Sequence, residues 1–155
     1  LKIALRPGGS ELITGLFKLL SFLPLRVLHA AGAAFGQISY FASASLRREI
    51  RGNLAQAGYT DPALARAAAR EAGKSMLELP FVWMRPQHQV LEKTSTDQWQ
   101  LIEAARQAGR GIVFLTPHLG CFEITAQHFA SRPHDGHPIT VLYRPPRKAM
   151  FRPLI

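Results

Sequence analysis

The chain has 155 residues, 47% of them hydrophobic and 19% charged, enough for one domain with its own core. Its formal charge of +9 favours an anionic partner, and no block of five or six Lys or Arg marks a nucleic-acid tail. The single cysteine, Cys121, excludes an internal disulfide and any paired-cysteine metal site, and fits a reducing, cytosol-facing setting.

The ends read as arbitrary, because the chain starts at Leu1 and stops at Ile155 with no polar tail, so an N-terminal fragment is expected. Glu11 to Leu46 is the most apolar part, interrupted by Lys18 and Arg26, and Pro24 kinks or breaks any helix there. Val27 to Leu46 is twenty residues without a formal charge, nominally enough to span a bilayer. His29, Gln37, Ser39, Ser43 and Ser45 dilute it, leaving three readings: a buried helical hairpin, a single span, or an anchor lying in the interface. Arg47, Arg48 and Arg51 follow on what would be the cytoplasmic side, and membrane association is the favoured expectation.

Arg47 to Ala57 reads as a basic helix ending at Gly58. Thr60 and Asp61 supply an N-cap, with Pro62 at the first helical position. That helix runs towards Leu79, with Gly73 a weak point and Pro80 bending or ending it before the apolar run Phe81 to Met84. His88 to Thr96 reads as a strand-like connection, and Asp97 caps a helix through Ala108 that Gly109 stops.

The chain is organised around Gly111 to Glu123, GIVFLTPHLGCFE. Ile112, Val113, Phe114 and Leu115 have the pattern of a strand buried on both faces. His118 follows at its carboxyl end, and Glu123 to Phe129 reads as a helix. On one continuous helix, His118 and Glu123 would point about 140° apart and not meet. They meet only if His118 sits on a turn before the helix, which Gly120 permits. The carboxylate then holds one imidazole nitrogen and leaves the other as a general base. The plainer reading of His118 is a loop residue or one at the start of a helix.

Beyond Ser131 to Pro138, whose His134, Asp135 and His137 match no usual metal-ligand spacing, Ile139 to Tyr143 reads as the next strand. Strand, turn, helix and strand make a βαβ unit, so the expected fold class is α/β, with a helix-flanked central sheet after an N-terminal apolar helical region. The expected boundaries are 1–46 for that membrane-associated region and 47–155 for the amino-terminal part of the α/β domain. Arg144, Pro145, Pro146, Arg147 and Lys148 would place a cationic cluster beside the His118 turn.

These residues carry a resemblance. His118 with four residues before acidic Glu123, the block Tyr143-Arg144-Pro145-Pro146-Arg147, Leu23-Pro24-Leu25 and Arg51-Gly52-Asn53-Leu54 resemble the lauroyl/myristoyl acyltransferases of bacterial lipid A biosynthesis. The similarity covers nearly the whole chain in the family's order, with Cys121 standing where relatives often have Asn. The resemblance implies an acyltransferase-type sheet and transfer of a fatty acyl chain from acyl carrier protein to a hydroxyl of a lipid A precursor. His118 would act as base, Glu123 would orient it, and Tyr143, Arg144 and Arg147 would bind substrate. It implies no metal or other cofactor and a place on the cytoplasmic face of the inner membrane. Acyl carrier protein, the lipid precursor and the anionic membrane surface are then the expected partners.

Other readings predict different things. A Cys121–His118 thiol enzyme would lose activity on replacement of Cys121. A nucleic-acid module lacks any recognition signature, and the aromatics lie in apolar runs rather than among Lys and Arg. An inactive membrane-anchored scaffold would look the same here. A glycerolipid acyltransferase shares the histidine–acid pattern but is disfavoured by the Tyr143 to Arg147 block.

Overall fold

A computed structural model describes residues 8–109, 111–117, 119–132 and 139–142. It divides into two compact units, one comprising the helices up to Arg85 and the other spanning Pro86–Leu142.

The first unit holds four helices: α1 (Gly8–Ser21), α2 (Leu25–Ala42), α3 (Ala44–Gln56) and α4 (Pro62–Met84). Pro24 separates α1 from α2, as its ring requires. Asp61 caps α4, its carboxylate accepting from the Ala63 N–H at 2.8 Å, and Pro62 takes the first position. In α4 one of the two effects expected of Pro80 is absent. Pro80 neither ends the helix nor stands at its edge; the helix runs on to Met84, and Pro80, Phe81 and Val82 are buried. Burial of this apolar turn outweighs the hydrogen bond that proline cannot donate. Gly73, the expected weak point, is where α2 touches α4.

The α2–α4 contact is the most extensive helix pairing among the described residues. A methyl group placed on Gly36 would overlap the Ala69 carbonyl oxygen, and one on Gly73 would overlap the Gly32 carbonyl oxygen. Only hydrogen side chains permit this backbone approach. Ala65 and Ala69 continue the stripe and form a buried cluster with Tyr40, against which Ile50 and Leu54 of α3 pack. Across the same helix pair, His29 Nε2 lies 2.9 Å from Glu78 Oε2.

The chain reversals in this unit are tied to the backbone. Ser43 closes α2, with its N–H donating to the Ser39 carbonyl, and opens α3, with its hydroxyl accepting from the Leu46 N–H. Arg47 donates to the carbonyls of Tyr40 and Phe41, both at 2.9 Å, meeting acceptors that the end of α2 leaves open. Arg85 donates to the Ser21 and Leu23 carbonyls at 2.6 and 3.2 Å, and its guanidinium lies 4.5 Å from the Phe81 ring centre.

Of the three readings of the apolar N-terminal region, the single span is the one overturned here. Among the described residues, no helix is long and apolar enough to cross a membrane. The uncharged stretch divides at Ser43 between α2 and α3, and in α2 Gly32 and Gly36 lie against the backbone of α4.

The second unit holds α5 (Gln87–Leu91), α6 (Trp99–Gln107) and α7 (Glu123–Ala130). The strand-like reading of His88 to Thr96 gives way to α5, which buries Val90 completely and packs against α7. Asp97 is not the cap of α6; Gln98 holds that position without a side-chain bond.

The α/β expectation is contradicted. Among the described residues there is no strand, and the structure is helical with connecting segments. Residues 111–117 and 139–142 carry no ladder, and Leu115 and Leu142 are 91% and 101% exposed. An apolar β-branched run favours an extended backbone, but a strand exists only when a neighbour takes up its N–H and C=O groups. Neither segment has such a neighbour among the described residues.

Candidate functional site

Glu123 is the first residue of α7, preceded by a turn in which Gly120 has φ of 56°. That left-handed conformation is the one glycine adopts without steric cost. The helix starts tightly, with Ile124 N–H donating to the Cys121 carbonyl and Thr125 N–H to that of Phe122. A carboxylate in the first turn also faces the positive end of the helix dipole. Glu123 is half-buried, and its carboxylate has no hydrogen-bond or ion-pair partner among the described residues.

His118, Tyr143, Arg144 and Arg147 lie outside the described residues, as do His134, Asp135 and His137. Of the expected site, Glu123 alone has a described position. Cys121 is half-buried. Among the described residues, no group of His, Cys, Asp and Glu is arranged to hold a metal ion.

Sequence reasoning missed a second feature of this unit. A groove of about 240 Å³ runs between the Thr94-Ser95-Thr96 segment, Trp99 and Ile102 of α6, Phe114, and the Ile124, Thr125, His128 and Phe129 face of α7. Aromatic contacts build its wall: Phe114 and Phe129 meet edge-on at 4.8 Å, and Trp99 stands edge-on to His128 at 6.1 Å. Arg132 covers Trp99 at 4.9 Å. Both ring nitrogens of His128 are sealed from water and have no hydrogen-bond partner among the described residues. Leaving a buried polar atom unmet costs about 1–3 kcal/mol. The available signal was the spacing of Ile124 and His128, four apart, which places the imidazole on the same face of α7 as an apolar residue.

No curated protein and no solved structure matches the chain. The family described as bacterial lipid A biosynthesis acyltransferase matches residues 4–155, a span that includes His118, Glu123 and the Tyr143 to Arg147 block. Coverage this extensive assigns the sequence as a whole rather than one motif, and the chain belongs to the bacterial lipid A biosynthesis acyltransferases.

Proposed function

We propose that this lipid A biosynthesis acyltransferase draws its acyl group from acyl carrier protein and activates the acceptor hydroxyl with His118 and Glu123. An alcohol is a weak nucleophile at neutral pH, so a base must take its proton as it attacks the thioester carbonyl. His118 takes that proton while the new C–O bond forms. The C–S bond then breaks, and the imidazolium returns a proton to the leaving thiolate. Glu123 orients the ring and stabilises its charge, the same division of labour as the base and acid of a hydrolase triad, with the substrate as nucleophile. No acyl-enzyme is needed.

Arg144 and Arg147, with Tyr143, hold a phosphate of the lipid precursor, for which the planar guanidinium fork is suited. The enzyme works at the cytoplasmic face of the inner membrane. Its charge of +9 suits an acidic carrier protein, a phosphorylated lipid and a negative leaflet alike. Family membership across residues 4–155 is the observation that carries this reading, and Glu123 at the start of α7 behind the Gly120 turn agrees with it.

The test is acyl transfer from acyl carrier protein to a lipid A precursor in detergent. His118→Ala is expected to lower kcat by about 10²–10⁴, the range for loss of a general base, and Glu123→Ala by less. Arg144→Ala is expected to raise KM for the phosphorylated acceptor more than it lowers kcat. Activity indifferent to both His118→Ala and Glu123→Ala would remove the pair from the mechanism. For the membrane, co-sedimentation with anionic vesicles that disappears at high salt is the expected result.

A further inference from the structure

Within the first unit, a groove of about 260 Å³ lies where α3 ends and α4 begins. Its walls include Arg51, Leu54 and Ala55 of α3, Tyr59 of the connection, and Pro62 and Ala65 of α4. The backbone around it is fixed at both ends. The Tyr59 N–H donates to the Leu54 carbonyl at 2.8 Å and the Gly58 N–H to that of Ala55 at 3.0 Å, the double closure of a helix end that a left-handed glycine, φ 85°, allows. Asp61 then caps α4 and forms no ion pair with Arg51. Leu54 packs on the buried Tyr40, Ala65 and Ala69 cluster, so the groove rests on the core.

Arg51 donates from Nε to the Tyr40 hydroxyl at 3.0 Å, and Tyr40 is buried. The guanidinium is thus anchored on its inner edge, and its Nη groups have no partner among the described residues. Arg48, three residues earlier and so on the same face of α3, is exposed and has no partner among the described residues. Glu49 falls elsewhere on α3, about 100° round the helix from Arg48 and about 200° from Arg51. Tyr59, on its fixed backbone, is 56% exposed. Tyrosine and arginine are the residue types that anchor protein interfaces.

From these features we infer that the Arg48–Arg51 face of α3 and the adjoining groove form a docking surface for the acidic acyl carrier protein, an inference that rests on the donor named in the proposed function. Carboxylates on the carrier surface pair with Arg48 and Arg51, and an apolar side chain beside them enters the groove between Leu54 and Tyr59. A bilayer is met by residues that protrude, whereas a concavity with an anchored cation in its wall receives a protruding group, which a folded partner supplies. A donor that leaves after each transfer calls for a small, salt-sensitive contact rather than a permanent one. Two arginines and one side-chain groove are on that scale.

The test is titration of fluorescently labelled acyl carrier protein with the full chain in detergent, followed by anisotropy. The expected result is saturable binding that weakens as salt rises. Arg48→Glu, which has no internal bond to lose, is expected to weaken binding about tenfold, and Tyr59→Ala about threefold. Arg51→Glu is expected to act at least as strongly as Arg48→Glu, which settles the matter alone should loss of the Tyr40 bond unfold the Arg51 variant. Lys18→Glu makes the same charge change on α1 and is expected to alter binding by no more than about twofold. In acyl transfer, Arg48→Glu is expected to raise KM for the acylated carrier about tenfold and leave kcat within about twofold. Unchanged affinity in Arg48→Glu would overturn the docking surface and leave the donor standing, as would equal weakening by Lys18→Glu, the mark of net charge alone. A wild-type chain that does not bind the carrier but transfers from a coenzyme A thioester would overturn the donor and the docking surface together. Co-sedimentation with anionic vesicles completes the comparison: an Arg48→Glu chain that loses the vesicles and keeps the carrier would assign this face to the bilayer and overturn the proposal.

Discussion

The pairing of α2 with α4 and the segments at 111–117 and 139–142 place apolar residues under opposite circumstances. In the first, glycines at 32, 36 and 73 bring backbone against backbone, and Leu28, Tyr40, Phe81 and Val82 are buried on the same two helices. In the second, the side chains are large and β-branched, yet Val113, Leu115 and Leu142 stand in the open. Hydrophobicity alone therefore does not decide burial. A helix brings its own hydrogen bonds and needs only a complementary surface, whereas an extended segment needs a neighbouring chain before its side chains can be covered.

The contrast can be broken at its tightest point. Gly36→Val is expected to lower stability by about 3 kcal/mol in urea denaturation, because a side chain there strikes the Ala69 backbone rather than a side chain that could move aside. An unchanged midpoint would mean that the two helices do not meet this closely. Arg85→Ala comes next, at about 2 kcal/mol, for loss of charge-assisted bonds to the Ser21 and Leu23 carbonyls and of the Phe81 stacking. Arg85→Lys recovering all of that loss would argue against the two-pronged contact. Asp61→Ala is expected to cost about 1 kcal/mol, with Asp61→Ser close to wild type, as for an N-cap. At the other pole, Leu115→Ser is expected to shift stability by no more than about 0.5 kcal/mol, the scale for exposed positions. A loss of several kcal/mol there would show that the run is packed after all.

What was legible in the sequence was local. The Asp61-Pro62 start, the break at Pro24, the helix ending before Gly58 and the helix opening at Glu123 each depend on a few adjacent residues, and each is present. The turn at Gly120 belongs with them, since its φ is a property of one residue. What was not legible depended on distant partners. Pro80 stays within α4 because its surroundings bury it, and Gly73 serves α2 rather than weakening its own helix. The strands at 112–115 and 139–142 were read from composition, which specifies extension but names no neighbour. For the site, the acidic residue was found by its distance from a histidine. His128 was passed over because nothing local reveals that a ring is sealed within a groove. His118 and the Tyr143 to Arg147 block lie outside the described residues, so their assignment stands on sequence and family.

Ser43 carries a consequence for how this chain can be cut and lengthened. A single residue ends one helix and begins the next, and Arg47 reaches back over the junction to two carbonyls of α2. No slack exists there for a protease to draw an extended segment into its cleft, and an inserted residue would displace both caps at once. The segment between α5 and α6 has no comparable double cap, with Glu92 ending one helix and Gln98 opening the next without a side-chain bond. Nicking and tolerated insertions are thus directed to that segment, while the Ser43 junction behaves as a fixed elbow that sets the angle between its two arms.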